Sequence, residues 1–459
     1  MSTTIDPTAA DFGALRSAID GQLYTPADEG YDAARMAWNV AVDQRPAAVA
    51  LPTSAHDVAE IVRFAAAAGL RVAPQGTGHG ATPVGDLAGS ILLRTTALAD
   101  VRIDAGRRIA RVGAGALWEQ VVEPAAAHGL VALHGSSPDV GVAGYCLGGG
   151  IGWLARRHGL AANALTAVEL VTADGRLVRA DADNEPDLFW ALRGGGGNFG
   201  IVTTLEMRLF PLDEVVAGWL IWPWEESHRV LTAWAAWAET VPDAVTSCGR
   251  LLQLPPIPQI PEPLRGRNLV VVEVAAIAAE VDAEALLAPL RALGPEIDTV
   301  AAMPPTGLVR LHQDPEGPTP GVGDGALLDA LPAEAIDALL RDAGPGSGSP
   351  LLSVELRHLG GALGRPHPDG GALSSIDAGF ALFAIGLPMD AEMGAAVAAG
   401  AEKLIAALAP WGHGRAYLNF AERRKGSETA FDADAHARLL AVRERFDPGR
   451  LMHANHPLG

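Results

Sequence analysis

The residues of this chain best suited to chemistry sit in three glycine clusters: Gln75-Gly-Thr-Gly-His-Gly80, Gly148-Gly-Gly-Ile-Gly152 and Gly194-Gly-Gly-Gly-Asn-Phe-Gly200. Consecutive backbone N–H groups beside a strand can converge on one ligand and form an anion nest. A phosphate-bearing ligand held by amides instead of lysines suits that pattern. Any one cluster also reads as a tight turn; three of them between residues 75 and 200 favour one shared ligand. The pattern GxxxxGK[ST] is absent, which argues against an ATP-hydrolysing P-loop. Two clusters loosely mimic GxGxxG, but no strand-end acid follows about 20 residues on, so a nicotinamide-binding Rossmann unit is the weaker reading. His79, inside the first cluster, reads by itself as a solvent-facing or hydrogen-bonding loop histidine.

These clusters need strands and helices to hold them. From about Pro46 to Pro211 the chain alternates the two. Ala48–Leu51 reads as a strand, Ser54 caps a helix to about Ala68, Gly69 stops it, and Leu70–Ala73 is the next strand. Ile91–Arg94, Val101–Asp104 and Ile109–Val112 are further strands. Asp174-Gly175 between Ala167–Thr172 and Leu177–Arg179 signals a hairpin. Pro186–Leu192 reads as a helix and Ile201–Leu209 as a half-buried strand. After Pro211 the texture changes to Val215–Trp222, Val245–Leu252, Leu269–Ala276, Val354–His358 and Phe380–Ile385 as strands, interleaved with helices. That pattern predicts an antiparallel sheet covered by helices. Trp222, Trp224 and Trp234 fit core packing better than a pocket lining for sugar or aromatic rings. A helix over Ala435–Phe446 stops at Asp447-Pro448-Gly449.

Composition narrows the partners. With 459 residues, two or three structural units are expected, one of them discontinuous. A formal charge of −20 argues against a nucleic-acid or anionic-membrane partner, which would select a basic face. Two cysteines, Cys146 and Cys248, without CxxC spacing imply neither a disulfide framework nor a metal centre. Met1–Asp6 lacks a basic segment followed by an apolar core, and no uninterrupted apolar run approaches the ~18 residues of a bilayer span. The alanine-rich stretch from Ala395 to Ala409 carries Glu402 and Lys403 and reads as an amphipathic helix. A cytoplasmic location is expected.

Ala73-Pro-Gln-Gly-Thr-Gly-His-Gly80 resembles the histidine loop of the vanillyl-alcohol oxidase / p-cresol methylhydroxylase superfamily. Gly135-Ser-Ser-Pro-Asp-Val-Gly-Val-Ala-Gly-Tyr-Cys-Leu-Gly-Gly-Gly150 is similar to the second flavin segment of its berberine-bridge-enzyme-like branch, and Arg193-Gly-Gly-Gly-Gly-Asn-Phe-Gly-Ile-Val202 to the third. Arg415-Ala-Tyr-Leu-Asn-Phe420 and Phe446-Asp-Pro-Gly-Arg-Leu451 match in kind and order. The resemblance covers roughly residues 35–213 and 410–459, and the middle only in layout.

This resemblance implies an α+β fold: a two-part FAD-binding domain of the vanillyl-alcohol oxidase type plus an antiparallel sheet with helices forming the substrate domain. The implied boundaries are a leader over 1–35, the FAD-binding domain over 36–213, the substrate domain over 214–410 and a returning C-terminal segment over 411–459. His79 aligns with the histidine that family members bond covalently to the flavin 8α-methyl. Many relatives carry a second tether, a cysteine just before the proline of the second segment; here that position is Ser137, whose hydroxyl is far less nucleophilic than a thiolate. A single covalent attachment is therefore expected, with Cys146 as a small packed side chain. Gln75, Gly76, Thr77, Gly78, Gly80, Ser137, Pro138, Asp139, Val140, Gly141, Gly144, Gly148, Gly149, Gly150, Gly200, Ile201 and Val202 are the remaining candidates for FAD contact. Asn198 is either a contact or a turn residue.

Tyr417, in the Tyr-x-Asn motif, is the candidate base or polarising donor, with Arg415 or Arg423 lowering its pKa. Asn419 would orient substrate or flavin, and Tyr145 would support the site from behind. His312, His358 and His413 have no motif behind them. The activity implied is an oxidase that passes a hydride from an alcohol, hemiacetal or related small molecule to flavin N5 and reduces molecular oxygen to hydrogen peroxide. A flavin dehydrogenase with another acceptor, and a flavin-binding protein without turnover, are the alternatives.

Overall fold

The computed structural model describes residues 10–459; the reading of Met1–Asp6, and the start of the expected leader, lie outside the described residues. The first sheet holds β1 (Gln22–Tyr24), β2 (Ala48–Leu51), β3 (Arg71–Gln75) and β4 (Ser90–Arg94) in the order β1-β2-β4-β3. β2, β4 and β3 run parallel, which requires a crossover, and the helix Ala55–Ala68 supplies it. Ser54 accepts the N–H of Asp57 at its start, and Gly69, at φ 68°, ends it. Val58, Ile61, Val62 and Ala65 fall on one face and are sealed against the sheet.

Residues 10–35, inside the expected leader, form a short helix, Phe12–Ala18, and pack onto the first sheet. Leu15, Ile19 and Leu23 are buried in the core of the first sheet, and β1 pairs antiparallel with β2. Asp57, fully buried, accepts the N–H groups of Asp20 and Gly21 and so ties this segment to the helix start. The sequence hides this because a three-residue strand has too short a period to register.

A second, antiparallel sheet contains β5 (Val101–Asp104) and β6 (Ile109–Gly113). A short ribbon strand, β7 (Leu130–Val131), precedes β8 (Leu165–Val171), β9 (Leu177–Asp181) and β10 (Ile201–Arg208), and the sheet order is β5-β6-β10-β8-β9. β11 (Phe210–Pro211) pairs with β7. Asp174-Gly175 makes the β8–β9 turn, with Gly175 at φ 75°.

The third sheet is antiparallel, with β12 (Val215–Pro223), β13 (Val245–Gln253), β14 (Asn268–Ile277), β15 (Ile297–Asp298), β16 (Ala301–Met303), β17 (Val322–Leu328), β18 (Ser353–His358) and β19 (Phe380–Gly386). Its order is β15-β12-β14-β13-β18-β19-β17, with β16 on β12. Residues alternate between two apolar layers, which explains the unbroken hydrophobic runs. Leu220 and Trp222 pack with the helices Ser227–Ala238, Ala333–Ala343 and Ala391–Leu408, whereas Trp219 and Ile221 join the core shared with the second sheet. Trp222 and Trp234 are fully buried core residues. The helix Ala391–Leu408, with its extension to Trp411, is long and apolar enough to cross a membrane; here Val397, Ala401, Leu404 and Leu408 are sealed into the core of the third sheet.

The chain then returns to the first half. After the helix Ala433–Phe446, the Asp447 carboxylate accepts the N–H groups of Leu451 and Met452. Met452 bridges in parallel to Val72, and His453 bonds Ser90 Oγ at 2.8 Å.

Candidate functional site

β3 ends at Gln75, and the loop Gly76–Gly80 follows, with Gly78 buried and Gly80 exposed. Gly78 adopts φ 92°, and a Cβ there would lie 2.9 Å from the Ala37 methyl, so only glycine fits. The loop is covered by Trp38, whose N–H bonds Thr77 O at 2.9 Å. The Trp38 indole stacks on the His79 imidazole at 3.9 Å between centroids and 22° between planes. His79 Nε2 faces Asp139, 3.3 Å from its main-chain oxygen and 3.6 Å from Oδ1.

Asp139 gathers the neighbouring segments. Its carboxylate accepts Trp38 Nε1–H at 2.6 Å, Gly317 N–H at 2.8 Å and the Ser137 hydroxyl at 2.9 Å. Burial alone would raise its pKa, but His79 and these donors outweigh it and hold the carboxyl far below the usual range. A Cβ on Gly141 would meet Thr77 at 3.8 Å, so the second segment lies beside the first. Pro138 and Val140 give their carbonyls to Glu119 and Trp118 N–H.

A second group forms around Gly148–Gly150. The Tyr417 oxygen accepts Gly150 N–H at 3.0 Å and Asn419 Nδ2–H at 3.3 Å, and Asn419 also donates to Tyr145 O at 3.0 Å. A Cβ on Gly148 would overlap the Asn419 amide, and one on Gly149 would sit 3.4 Å from the Tyr417 ring. Tyr417 is buried, and burial pushes its hydroxyl well up despite the Asn419 and Gly150 donors; it is a phenol at neutral pH. Tyr145 lies behind the glycines, edge-on to Trp118 at 5.3 Å, its buried hydroxyl without a protein partner.

Sequence reading missed the charges nearest this group. Arg357, on β18, donates to Ser136 Oγ at 3.2 Å, lies over the Phe420 ring at 5.1 Å and lowers the Tyr417 pKa. It ends a buried chain in which Arg250 pairs with Glu273 at 2.8 Å, Glu273 with His312 Nδ1 at 2.6 Å, His312 Nε2 with Glu355, and Glu355 with Arg357 at 3.0 Å. Burial and Arg250 push His312 down, but Glu273, Asp314 and Glu355 overcome them and hold it at about 9. The available signal was a lone Glu273 inside Val270-Val-Val-Glu-Val274 and the Glu355-x-Arg357 pair on an apolar strand.

Other candidates are placed elsewhere. Arg415 is exposed, and Arg423 pairs with Glu402. His413 pairs with Asp329, and burial depresses His358 to about 3. Cys146 is fully buried, its thiol pushed up. Asn198 ties the chain end down, donating to Gly195 O and His456 O and accepting from Leu458 N–H. Ile201 is sealed in the core and Val202 nearly so, and a Cβ on Gly200 would come within 2.6 Å of Val171 O.

The residues present fit an extended dinucleotide. A Cβ on Gly76 would meet only Thr95 and Ala114, at 3.7 and 3.9 Å, and one on Gly144 nothing within 4 Å; Gly80 and Gly144 are exposed. Ala114 N–H bonds Thr203 O, bringing the start of β10 alongside. Gln75 Nε2, buried beside Gly78, has no protein partner.

Comparison with known proteins agrees with this geometry. Residues 46–181 match the FAD binding domain family. The chain is 37% identical over 206 residues to (R)-6-hydroxynicotine oxidase of Paenarthrobacter nicotinovorans, covering 45% of each protein. It is 34% identical over 224 residues to glucooligosaccharide oxidase of Sarocladium strictum, covering 48% of this chain and 43% of that one. The chain thus spans about half the length of the curated relatives it matches. Berberine bridge enzyme from Eschscholzia californica superposes with a TM-score of 0.82 at 17% identity, covering 99% of both chains, a likeness of fold.

Proposed function

We propose that the chain is a berberine-bridge-enzyme-like FAD-linked oxidoreductase of the vanillyl-alcohol oxidase superfamily, and an oxidase of a small alcohol, hemiacetal or amine. The carrying observation is that the histidine loop and the Tyr417–Asn419 pair both close on the second glycine segment, at Asp139 and at Gly148–Gly150. When bound, FAD supplies a two-electron acceptor that takes a hydride from the substrate and is reoxidised by molecular oxygen with release of hydrogen peroxide.

In this reading Gly76–Gly80 and Asp139–Gly144 cradle the cofactor, and His79 carries its single covalent bond. The Ser137 hydroxyl is engaged by Asp139 and forms no second bond. Two N–H donors occupy the Tyr417 oxygen and leave its proton for the substrate's oxygen or nitrogen. At neutral pH Tyr417 polarises that atom as a donor; once ionised it accepts the proton that leaves the substrate. Arg357 favours the ionised form, the part expected of Arg415 or Arg423. The third sheet roofs the substrate.

Purified protein tests the reading. A yellow acid-precipitated pellet from wild type and a colourless one from His79→Ala support covalent attachment; colourless wild type after riboflavin supplementation overturns it. Substrate-reduced enzyme that returns to yellow in air within seconds is an oxidase, and one that stays bleached until another acceptor is added is a dehydrogenase. If no alcohol, sugar or amine bleaches the flavin, and Tyr417→Phe behaves like wild type, the protein binds flavin without turnover.

A further inference from the structure

β3 opens on Arg71 and ends on Gln75, so at about 3.3 Å per residue its first residue lies roughly 13 Å from the start of the histidine loop. At that opposite end is an open cavity of about 900 Å³, bordered by the stop of the helix Ala55–Ala68, the β8–β9 turn and the returning segment after Phe446. Neither the histidine loop nor Gly148–Gly150 reaches it; Asn198 does, but its side chain is taken by Gly195, His456 and Leu458. Six arginines and two aspartates line the cavity, in a chain whose formal charge is −20. Both aspartates are engaged: Asp174 with Arg176 and the Thr172 hydroxyl, Asp447 with the N–H groups of Leu451 and Met452. Arg445 pairs with Glu185.

The other four arginines hydrogen-bond only to main-chain oxygens among the described residues. Arg71 donates to Met452, Arg424 to Pro83 and Val84, Arg443 to Leu458 and Arg450 to Gly459. Such bonds fix a guanidinium without balancing its charge, and they use one or two of its five N–H groups. The buried Nε of Arg71 and that of Arg443, a residue only 8% exposed, have no protein partner. Burial, and then the Arg424 charge, lowers the Arg71 pKa. His453, which meets the same Val84 oxygen as Arg424, is held at about 4 by burial and by Arg71, and is neutral. The fold thus gathers like charges at one place and supplies no counter-charge there.

We propose that this cavity binds a small polyanion, a molecule with two or more phosphate or carboxylate groups, held by Arg71 and Arg443 within and by the exposed Arg424 and Arg450 at the rim. Guanidinium groups suit that ligand because their planar N–H pairs match phosphate or carboxylate oxygens two at a time. The volume falls within the roughly 300–1,000 Å³ of small-molecule sites, and a single phosphate would leave most of the four arginines unmet. The acidic balance of the chain selects a small molecule over a nucleic acid, which needs a basic face. Arg71 belongs to β3 and Arg450 to the returning segment that bridges to β3 at Val72, so the bound anion fastens that segment to the first sheet. The proposal stands apart from the flavin reading.

Titration calorimetry of the full-length protein as purified tests the site, with inorganic pyrophosphate and citrate as probes at constant ionic strength; the pair separates phosphate from carboxylate recognition. At least one is expected to bind at one site per chain and to raise the melting temperature, and sodium chloride at the same ionic strength to do neither. Arg450→Gln, at an exposed position, is expected to weaken binding by roughly tenfold, the loss of one charge-assisted contact, and Arg71→Gln by at least as much. Arg229→Gln, on a helix of the third sheet and paired with Glu226, should bind as wild type does. No saturable binding of either anion overturns the proposal. So does binding that Arg450→Gln and Arg71→Gln leave unchanged, since an anion held by the glycine segments would be indifferent to both, whether or not the protein carries flavin. If Arg71→Gln does not fold, Arg450→Gln decides alone.

Discussion

At the scale of single residues, the proposed chemistry rests on Tyr417 and its neighbours. Removing the hydroxyl alone, in Tyr417→Phe, is expected to lower kcat/KM by about 10²–10⁴-fold, the usual span for a lost general acid–base group, with flavin content unchanged. Steady-state assays beside flavin absorbance check both halves of that statement. Because burial holds the phenol protonated at neutrality, kcat/KM should rise with pH into the alkaline range. Arg357 lowers the Tyr417 pKa, so Arg357→Gln should move that rise to higher pH, and a pH–rate profile of the two proteins reads the shift. His79, Tyr417 and Asn419 could be named as candidates from the sequence because each lies inside a motif. Arg357 and His312 lie in none. Their partners come from residues 250, 273 and 355, and nothing local in the chain announces that they meet.

Elements explain why those distant charges meet. Arg250 on β13, Glu273 on β14 and Glu355 on β18 come together only because these strands are adjacent in the third sheet, although β18 lies some eighty residues beyond β14 in the chain. Breaking one link leaves a buried charge without its counterpart. Glu355→Gln should therefore cost about 3–5 kcal/mol, visible as a lower denaturation midpoint. The cluster also predicts a pH dependence. His312 titrates at about 9 in the folded protein against about 6.5 unfolded, so its stabilisation is complete below about pH 6.5 and is lost as pH rises through about 9. Melting temperatures between pH 6 and 10 should show that decline, and it should be shallower in His312→Gln. Local rules were enough for other elements. Ser54 and Gly69 bound the helix Ala55–Ala68, and Asp174-Gly175 made its hairpin, because caps and tight turns depend on a few consecutive residues.

Across the whole molecule, the two halves meet along one shared core, which joins Trp219, Ile221 and Val271 of the third sheet to Leu205 of the second and to Trp118 and Leu147 on the helices Trp118–Ala126 and Val142–Leu147. The alternation of strands and helices before Pro211, and the change of texture after it, foretold the two architectures. The strand order did not show, because antiparallel pairing over long loops leaves no periodic trace in sequence. Nor did the folding-in of residues 10–35, whose contribution is the buried side chains of Leu15, Ile19, Leu23 and Tyr31 and a three-residue strand. The returning segment is equally integral. Leu451, Met452 and Leu458 are buried, each contributing roughly 1.5–3 kcal/mol, so truncation after Arg450 should destabilise the FAD-binding half and lower flavin occupancy, measured by thermal melts and by the flavin-to-protein absorbance ratio. The account as a whole turns on one bond, and mass spectrometry of the denatured protein tests it most directly. The account predicts an intact mass increased by one FAD less two hydrogens, with the addition mapping to the peptide that contains His79 and vanishing in His79→Ala. An unmodified mass in flavin-replete wild type, or an addition mapping to Cys146, would contradict it.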